Sequence, residues 1–573
     1  KSFKFIDKLS ETIEIRLPDG RIISGQRGST LEEFISLVKE WDGSQIVGAV
    51  VDGYLKELSY PLERSCDIQP INMSGADGSK IYRRSLTFLL QTAFVDLYPE
   101  YLLTIDNSVP SGGYYCKIRG RDPLSSKEID ALEAHMKELV KSDLPITKEK
   151  VTLDEAREYF ASKNYQDKTH LLQYRKKPYL VLYKLQDHKD YHHGYMVPST
   201  RYLNLFKLHQ RGEGFILQYP RRGSPKKLLY MPKYSKLLQV FKQYGSWLES
   251  LDIDSLGALN DTIQDGTIRE VILVSEALHE QKISQIADKI ARKKGKIRVV
   301  LIAGPTSSGK TTFSKRLAVQ LLTYGISPFA LEMDDYFVDR EKTPKDENGK
   351  FDFESFRALD ANLMEQHINA LMQGEEVTLP RFNFKSGLRE KGKTVRLNEN
   401  QIILIEGIHG LNPQLLPQIS KDNTFRIYTS CLTQLNLDHF NRISTTDTRM
   451  LRRIVRDAQT RGYSPIHTID LWDSVRRGER NYIFPYQENA DDVFNSALVY
   501  ELAALKPYVE PLLRQIPFGT FEYLEAKRLL AFLDWFLPVD SELIPDNSIL
   551  REFIGNSFLS EFKLWHNGGG IKP

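Results

Sequence analysis

Along the first seventy or so residues apolar positions alternate with polar ones, the period of a half-buried strand. Ile13, Ile15 and Leu17 lead into the turn signal Pro18-Asp19-Gly20, and Ile22 and Ile23 return from it, which predicts a hairpin. Thr30 is placed to cap a helix with Leu31, Phe34, Ile35 and Val38 on one face, and Val50-Val51-Asp52-Gly53-Tyr54-Leu55 reads as a second hairpin. Helical and strand-like patches alternate from about 80 to 225. The stretch Arg221-Arg222-Gly223-Ser224-Pro225-Lys226-Lys227 then breaks the pattern as a linker, expected as a solvated basic loop rather than a phosphate contact. Helical periodicity fills most of 234 to 294. Beyond it, Ile297 to Ala303 is a buried-strand run, and Phe313, Leu317, Leu321 and Tyr324 mark one face of a helix that Gly325 ends. Ser327 to Met333 and Ile402 to Ile405 read as further strands. Leu529, Leu530, Phe532, Leu533 and Phe536 crowd a helical tail, Glu522 through Lys563, expected to pack on the preceding domain or at a subunit contact.

Composition narrows the class. In 573 residues, 41% hydrophobic and 11% aromatic content is enough for real cores, which excludes a mainly disordered or fibrous chain. With 78 Lys+Arg against 75 Asp+Glu the net charge is +3, so neither a polybasic nor an acidic-tail protein is expected. Cys66, Cys116 and Cys431 are few, odd in number and far apart, which excludes a disulfide framework or a four-cysteine zinc site and fits a reducing cytoplasm. No apolar run approaches the roughly 18 to 20 residues that cross a bilayer, and Lys1-Ser2-Phe3-Lys4 has no apolar signal core behind it. The expectation is a soluble protein without membrane contact, and a first residue other than Met points to a trimmed or tagged start.

The chemistry is concentrated after residue 297. Gly304-Pro305-Thr306-Ser307-Ser308-Gly309-Lys310-Thr311 matches the P-loop pattern between a strand and a helix. Its glycines let backbone N–H groups wrap phosphates at the positive end of the helix, Thr312 included. Lys310 is expected on the β- and γ-phosphates and Thr311 on Mg²⁺. Asp334, with Asp335 beside it, follows one strand and Glu406 another; in a parallel sheet both reach the P-loop edge. One carboxylate there can take an acceptor proton while the other helps hold the metal. Arg449, Arg452 or Arg453, and Arg456 share one helix face that could close over the phosphates, against the plainer reading of a solvated charged helix.

Three resemblances follow from these residues. The front pattern, ending Cys66-Asp67-Ile68-Gln69-Pro70-Ile71, resembles the ubiquitin-like TGS domain of threonyl-tRNA synthetases. Arg84 to Leu90, Leu97-Tyr98-Pro99, Tyr114-Tyr115 and Asp190 to Pro198 resemble the editing domain that follows TGS there. That family carries His-x-x-x-His and Cys-x-x-x-His; here Arg84, Phe88, His192 and Met196 stand at those positions, so the resemblance implies the fold without the editing chemistry. His188, His192 and His193 invite a metal reading but lack a nearby Cys, and satisfied or solvated histidines are expected. From about 295 to 510 the P-loop, the Asp334 turn, Phe351-Asp352, Pro380 to Arg389, Glu406-Gly407 and the arginine helix resemble the uridine kinase and phosphoribulokinase family in order.

That last resemblance implies Asp334 as general base, Thr311, Asp334 and Glu406 around Mg²⁺, Asp352 on sugar hydroxyls, and Arg449, Arg453 and Arg456 in a lid over ATP. It places Phe382, Phe384 and Arg389 at the acceptor. Uridine kinases read the base with Pro-x-Tyr-Asp-aromatic and His-Ser-Arg; Phe382 lacks the Tyr hydroxyl and Gly387 replaces the His, so the acceptor is left open. The expected organisation is multidomain α/β: a TGS-like β-grasp domain (1–75), an editing-like α+β domain (76–225), a helical linker (226–294), a P-loop parallel-sheet domain (295–515) and a helical tail (516–573). The expected activity is transfer of the γ-phosphoryl group of ATP, with Mg²⁺, to a hydroxyl such as the 5′-hydroxyl of a nucleoside. The competing classes are an RNA- or tRNA-associated regulatory NTPase and an editing hydrolase. The +3 balance and the missing editing groups argue against both, while homo-oligomer formation stays open.

Overall fold

The computed structural model describes residues 10–562 apart from 39, 346–348, 350 and 434. The ends expected in the first domain and in the tail, 1–9 and 563–573, lie outside the described residues. The first sheet has the order Ile22–Gln26, Thr12–Arg16, Cys66–Asn72, Ser44–Val51, Glu40–Trp41, with Tyr54–Lys56 paired to Ser44–Val51. Its first and last long strands run parallel in the middle, the β-grasp arrangement. Gly20, at φ +86°, closes the first hairpin, and Thr30 and Glu33 form a reciprocal capping box at the Leu31–Ile35 helix.

A 22-residue helix, Ala76–Leu97, runs through the next unit. It packs with a four-stranded antiparallel sheet (Leu102–Val109, Gly113–Arg119, Gly214–Gln218, Lys207–Arg211) and a three-stranded one (Thr147–Thr152, Tyr179–Leu185, His188–Tyr191). The helices Ser235–Ser250, Leu256–Gln264 and Ile268–Ala291 are not a free linker. Their Tyr244, Leu259, Ile272 and Ile286 lie in one core with Phe313 and Leu317 after the P-loop and with Leu529 and Phe532 of the tail. A fully buried Leu or Phe stabilises by about 1.5–3 kcal/mol, which accounts for a tail that packs inward. The tail is only partly helical, with Phe521–Leu533 followed by turns and the short Arg551–Ile554 helix. Tyr324, expected on the buried face, caps its helix and is 40% exposed.

The central sheet is parallel throughout, in the order Ser327–Glu332, Gln401–Glu406, Val299–Ala303, Thr424–Ser430, Asp492–Asn495. Helices cover both faces, so Val299–Ala303 is apolar and buried at every position. Parallel strands put every carboxyl end on one edge, where the P-loop, Asp334 and Glu406 follow. A hairpin of Glu376–Asn383 and Leu388–Arg396 stands beside that edge.

Front and rear halves share a polar knot. Lys168, fully buried, ion-pairs with Asp190 at 2.9 Å and with Asp438 of the rear half at 3.0 Å. Tyr191 donates its hydroxyl to Asp438, and His439 pairs with Asp167 at 2.9 Å. Burial disfavours the Lys168 charge, but Asp190 and Asp438 outweigh it and hold the ammonium above its usual range. Phe440 is then seated in the core of the front half.

Candidate active site

The phosphate cradle is built by backbone. Gly304 passes so close to the Thr429 carbonyl that a Cβ would clash with it, and Ser307 (φ +56°) and Gly309 (φ +79°) take left-handed conformations that coil the loop. The Gly309 N-cap offers the helix Lys310–Thr323 no side chain, so the N–H groups of Lys310 and Thr311 at its start get no cap from that residue. The buried hydroxyls of Ser307 and Ser308 find no hydrogen-bond partner. Unsatisfied donors at a helix N-terminus fit a phosphate group. Lys310 donates to the Pro305 carbonyl at 3.2 Å, and burial lowers its pKa.

The carboxylates expected at this edge are there. Thr311 donates its hydroxyl to Glu406 at 2.9 Å, a hydroxyl and a hard oxygen ligand together, which fits Mg²⁺. Burial lifts Glu406 to about 7, against the pull of Lys310. Asp334 is also raised, by burial first, and feels Lys310, Asp335 and Arg461. Asp335 faces away and accepts the backbone N–H of Phe382 at 3.0 Å, fixing the hairpin against the strand end.

The arginine helix, Thr445–Arg456, is not the solvated face of the plainer reading, since Arg449, Arg452 and Arg453 are buried. Arg449 is 1% exposed; it ion-pairs with Glu479 and donates Nε to the Thr306 carbonyl at 2.9 Å. Arg452, fully buried, pairs with Glu501 and reaches the Ser307 carbonyl at 3.4 Å. Both brace the P-loop from behind. Arg453 pairs with Asp457 at 3.0 Å, while Arg456 keeps Nε without a hydrogen-bond partner and reaches Asp457 only at 3.5 Å.

On the acceptor side Phe382 is buried edge-on against Phe337 and Phe384, ring centroids 5.8 and 5.2 Å apart, and Phe384 is 62% exposed. Gly387 is left-handed at φ +72°, and a Cβ there would meet Arg340 at 2.8 Å, so the missing His is matched by an arginine folded over its place. Arg389 ion-pairs with Asp360 at 2.8 Å. Asp352 is half-buried and donates its N–H to the Pro344 carbonyl at 2.7 Å.

Two groups escaped the sequence reading. Glu354, packed against Gly478, is pushed up to about 7 by burial and then by Glu479. Glu552 of the tail accepts from both the N–H and the hydroxyl of Thr312, at 3.1 and 2.9 Å. Glu354 sits two positions from Asp352, which is a faint signal; for Glu552 no local signal exists.

The editing-like site holds no convergent ligand set. Arg84 lies against Gly194 and donates to the Tyr195 carbonyl at 2.5 Å, Phe88 meets His192 at 5.2 Å, and Met196 is buried. Burial holds His192 well below its ordinary value and His193 at about 3, while His188 turns away to Asp96 at 3.0 Å. Among the described residues Asp167, Asp438 and His439 alone group as metal ligands would, and Lys168 already pairs with Asp438.

Residues 299–502 match the model of the Phosphoribulokinase / Uridine kinase family. The threonine–tRNA ligase of Burkholderia vietnamiensis is 32% identical over 197 residues, 34% of this chain and 31% of that ligase. That of Thermotoga maritima is 29% identical over 198 residues, 34% of this chain and 30% of the ligase. The chain spans about a third of the length of these curated relatives. A solved structure described as a possible uridine kinase from Bacillus stearothermophilus is 20% identical and covers 37% of this chain and 100% of that one, at a TM-score of 0.26. Residues 299–502 are thus similar to the phosphoribulokinase and uridine kinase family, joined in one chain to a front part similar to threonine–tRNA ligases.

Proposed function

We propose that this chain is an ATP- and Mg²⁺-dependent kinase that phosphorylates a small hydroxyl acceptor, the 5′-hydroxyl of a nucleoside. One observation carries the reading: the unpartnered Ser307 and Ser308 hydroxyls, at the start of the helix that opens with Lys310, share a sheet edge with two carboxylates in the field of Lys310. In this reading the loop N–H groups, Lys310 and Thr312 hold the ATP phosphates. Thr311 and Glu406, with Asp334 at hand, hold Mg²⁺, whose bound charge offsets that of the phosphates.

Asp334 is the base. Its burial raises its proton affinity toward the operating pH, as a general base requires. It takes the acceptor hydroxyl proton as that oxygen bonds to the γ-phosphorus, the bond from phosphorus to the β–γ bridging oxygen breaks, and ADP leaves. In this reading Arg453 and Arg456 neutralise charge on the transferring group, whereas Arg449 acts through Thr306 as a positioning residue. Asp352, Phe382 and Phe384 form the acceptor wall. The test is ATP turnover over a panel of nucleosides and other sugar-like alcohols, wild type beside Asp334→Asn, with an expected loss of about 10²–10⁴-fold in the variant. A panel in which no acceptor stimulates ATP consumption, or a variant as fast as wild type, overturns the reading.

A further inference from the structure

A cleft of about 640 Å³ opens where the front half, the segment after the arginine helix and the tail meet. Its volume is that of sites for nucleotide-sized ligands. The basic stretch expected as a solvated loop forms part of its wall: Arg222 grips Asp473 with two hydrogen bonds, at 2.8 and 2.9 Å, and Arg221 reaches the Pro110 carbonyl.

Most lining carboxylates are already neutralised. Arg528 holds Asp447 and Glu525 at 2.8 and 2.6 Å, Arg222 holds Asp473, and Lys80 lies 3.7 Å from Asp77, which leaves Asp470 and Glu522. Against them, Arg83, Arg221, Arg442 and Arg480 have no ion pair among the described residues. Burial, followed by Arg476 and Arg480, pulls Arg221 down to about 10, and Arg480 falls for the same first reason and then through Arg476. Arg221 and Arg480 stay charged at neutral pH, so they repel one another across the cleft. Two buried donors on the wall are also unmatched: Trp472 Nε1 and Gln487 Nε2, on residues 5% and 4% exposed, have no acceptor.

We propose that this cleft binds a phosphorylated small molecule of nucleotide size, its phosphate held by Arg221 and Arg480 and its neutral acceptor atoms by Trp472 and Gln487. Guanidinium forks match phosphate oxygens, and an indole and an amide N–H complete a mixed anionic and neutral ligand. The site is separate from the P-loop. Of the residues described around the P-loop, the cleft wall includes Arg449, whose Nε is committed to Thr306.

Calorimetric titration of the full chain tests this, with Lys310→Ala introduced to silence the P-loop, so that the outcome stands apart from the kinase reading. The probes are inorganic pyrophosphate, adenosine 5′-monophosphate and uridine 5′-monophosphate. Saturable one-to-one binding of at least one probe is expected, weakened about tenfold or more when Arg221→Ala and Arg480→Ala are added. Because Arg221 also contacts backbone, Arg480→Glu alone serves as the second variant, and an unchanged melting curve certifies its fold. No saturable binding, binding that a normally melting Arg480→Glu leaves intact, or binding of a 5′-phosphorylated tetranucleotide but of no probe overturns the proposal.

Discussion

Glu354 is a carboxylate whose proton is worth more in the folded chain than in the unfolded one. Its pKa rises from 4.5 to about 7, through burial and then Glu479. Between those values the folded state binds the extra proton, so Glu354's contribution to stability falls as pH rises from about 4.5 to about 7 and is level above that. Denaturation of the ligand-free protein across that window is expected to show the decline, shared with Glu406, and Glu354→Gln to make it shallower; an equally steep profile in the variant refutes the assignment. At this scale much was legible. The P-loop residues are contiguous, and their conformations follow from where glycine stands. The partner of Arg389 was not legible, because sequence order does not tell which of several carboxylates, here Asp360, an arginine will find.

The element that most alters the site is the last one. The short Arg551–Ile554 helix lays Glu552 on the two Thr312 donors expected to take phosphate oxygens. A carboxylate there competes with an anionic ligand and repels it. Glu552→Ala is therefore expected to tighten ATP binding by about tenfold, the equivalent of one charge-assisted hydrogen bond, read by titration with a fluorescent ATP analogue. Unchanged or weaker binding would show that the tail does not occupy the phosphate path. Local elements such as the first hairpin, the capped helix and the strand before the P-loop were readable because neighbours in sequence determine them. The tail contact joins residues 240 apart, and no period or motif encodes such a pairing.

Over the whole molecule, the expected modular chain is a single interlocked body. Asp438 and Phe440 enter the front half, and three helices read as a linker pack into the rear core. Lys168→Met leaves Asp190 and Asp438 buried without their cation and should destabilise by about 3–5 kcal/mol in urea unfolding, with front and rear probes moving together. A loss below about 1 kcal/mol would show that the knot is not what joins the halves. This join left no mark in the sequence, because a buried Lys and two Asp read like any surface charges until the fold brings them together. The same join sets a timetable for synthesis. Asp438 is made 270 residues after Lys168, which at about 5–20 residues per second is a wait of roughly 15–50 s. During that interval the front half emerges with a cation and a hydrophobic socket whose partners are not yet synthesised, a surface open to aggregation until they arrive.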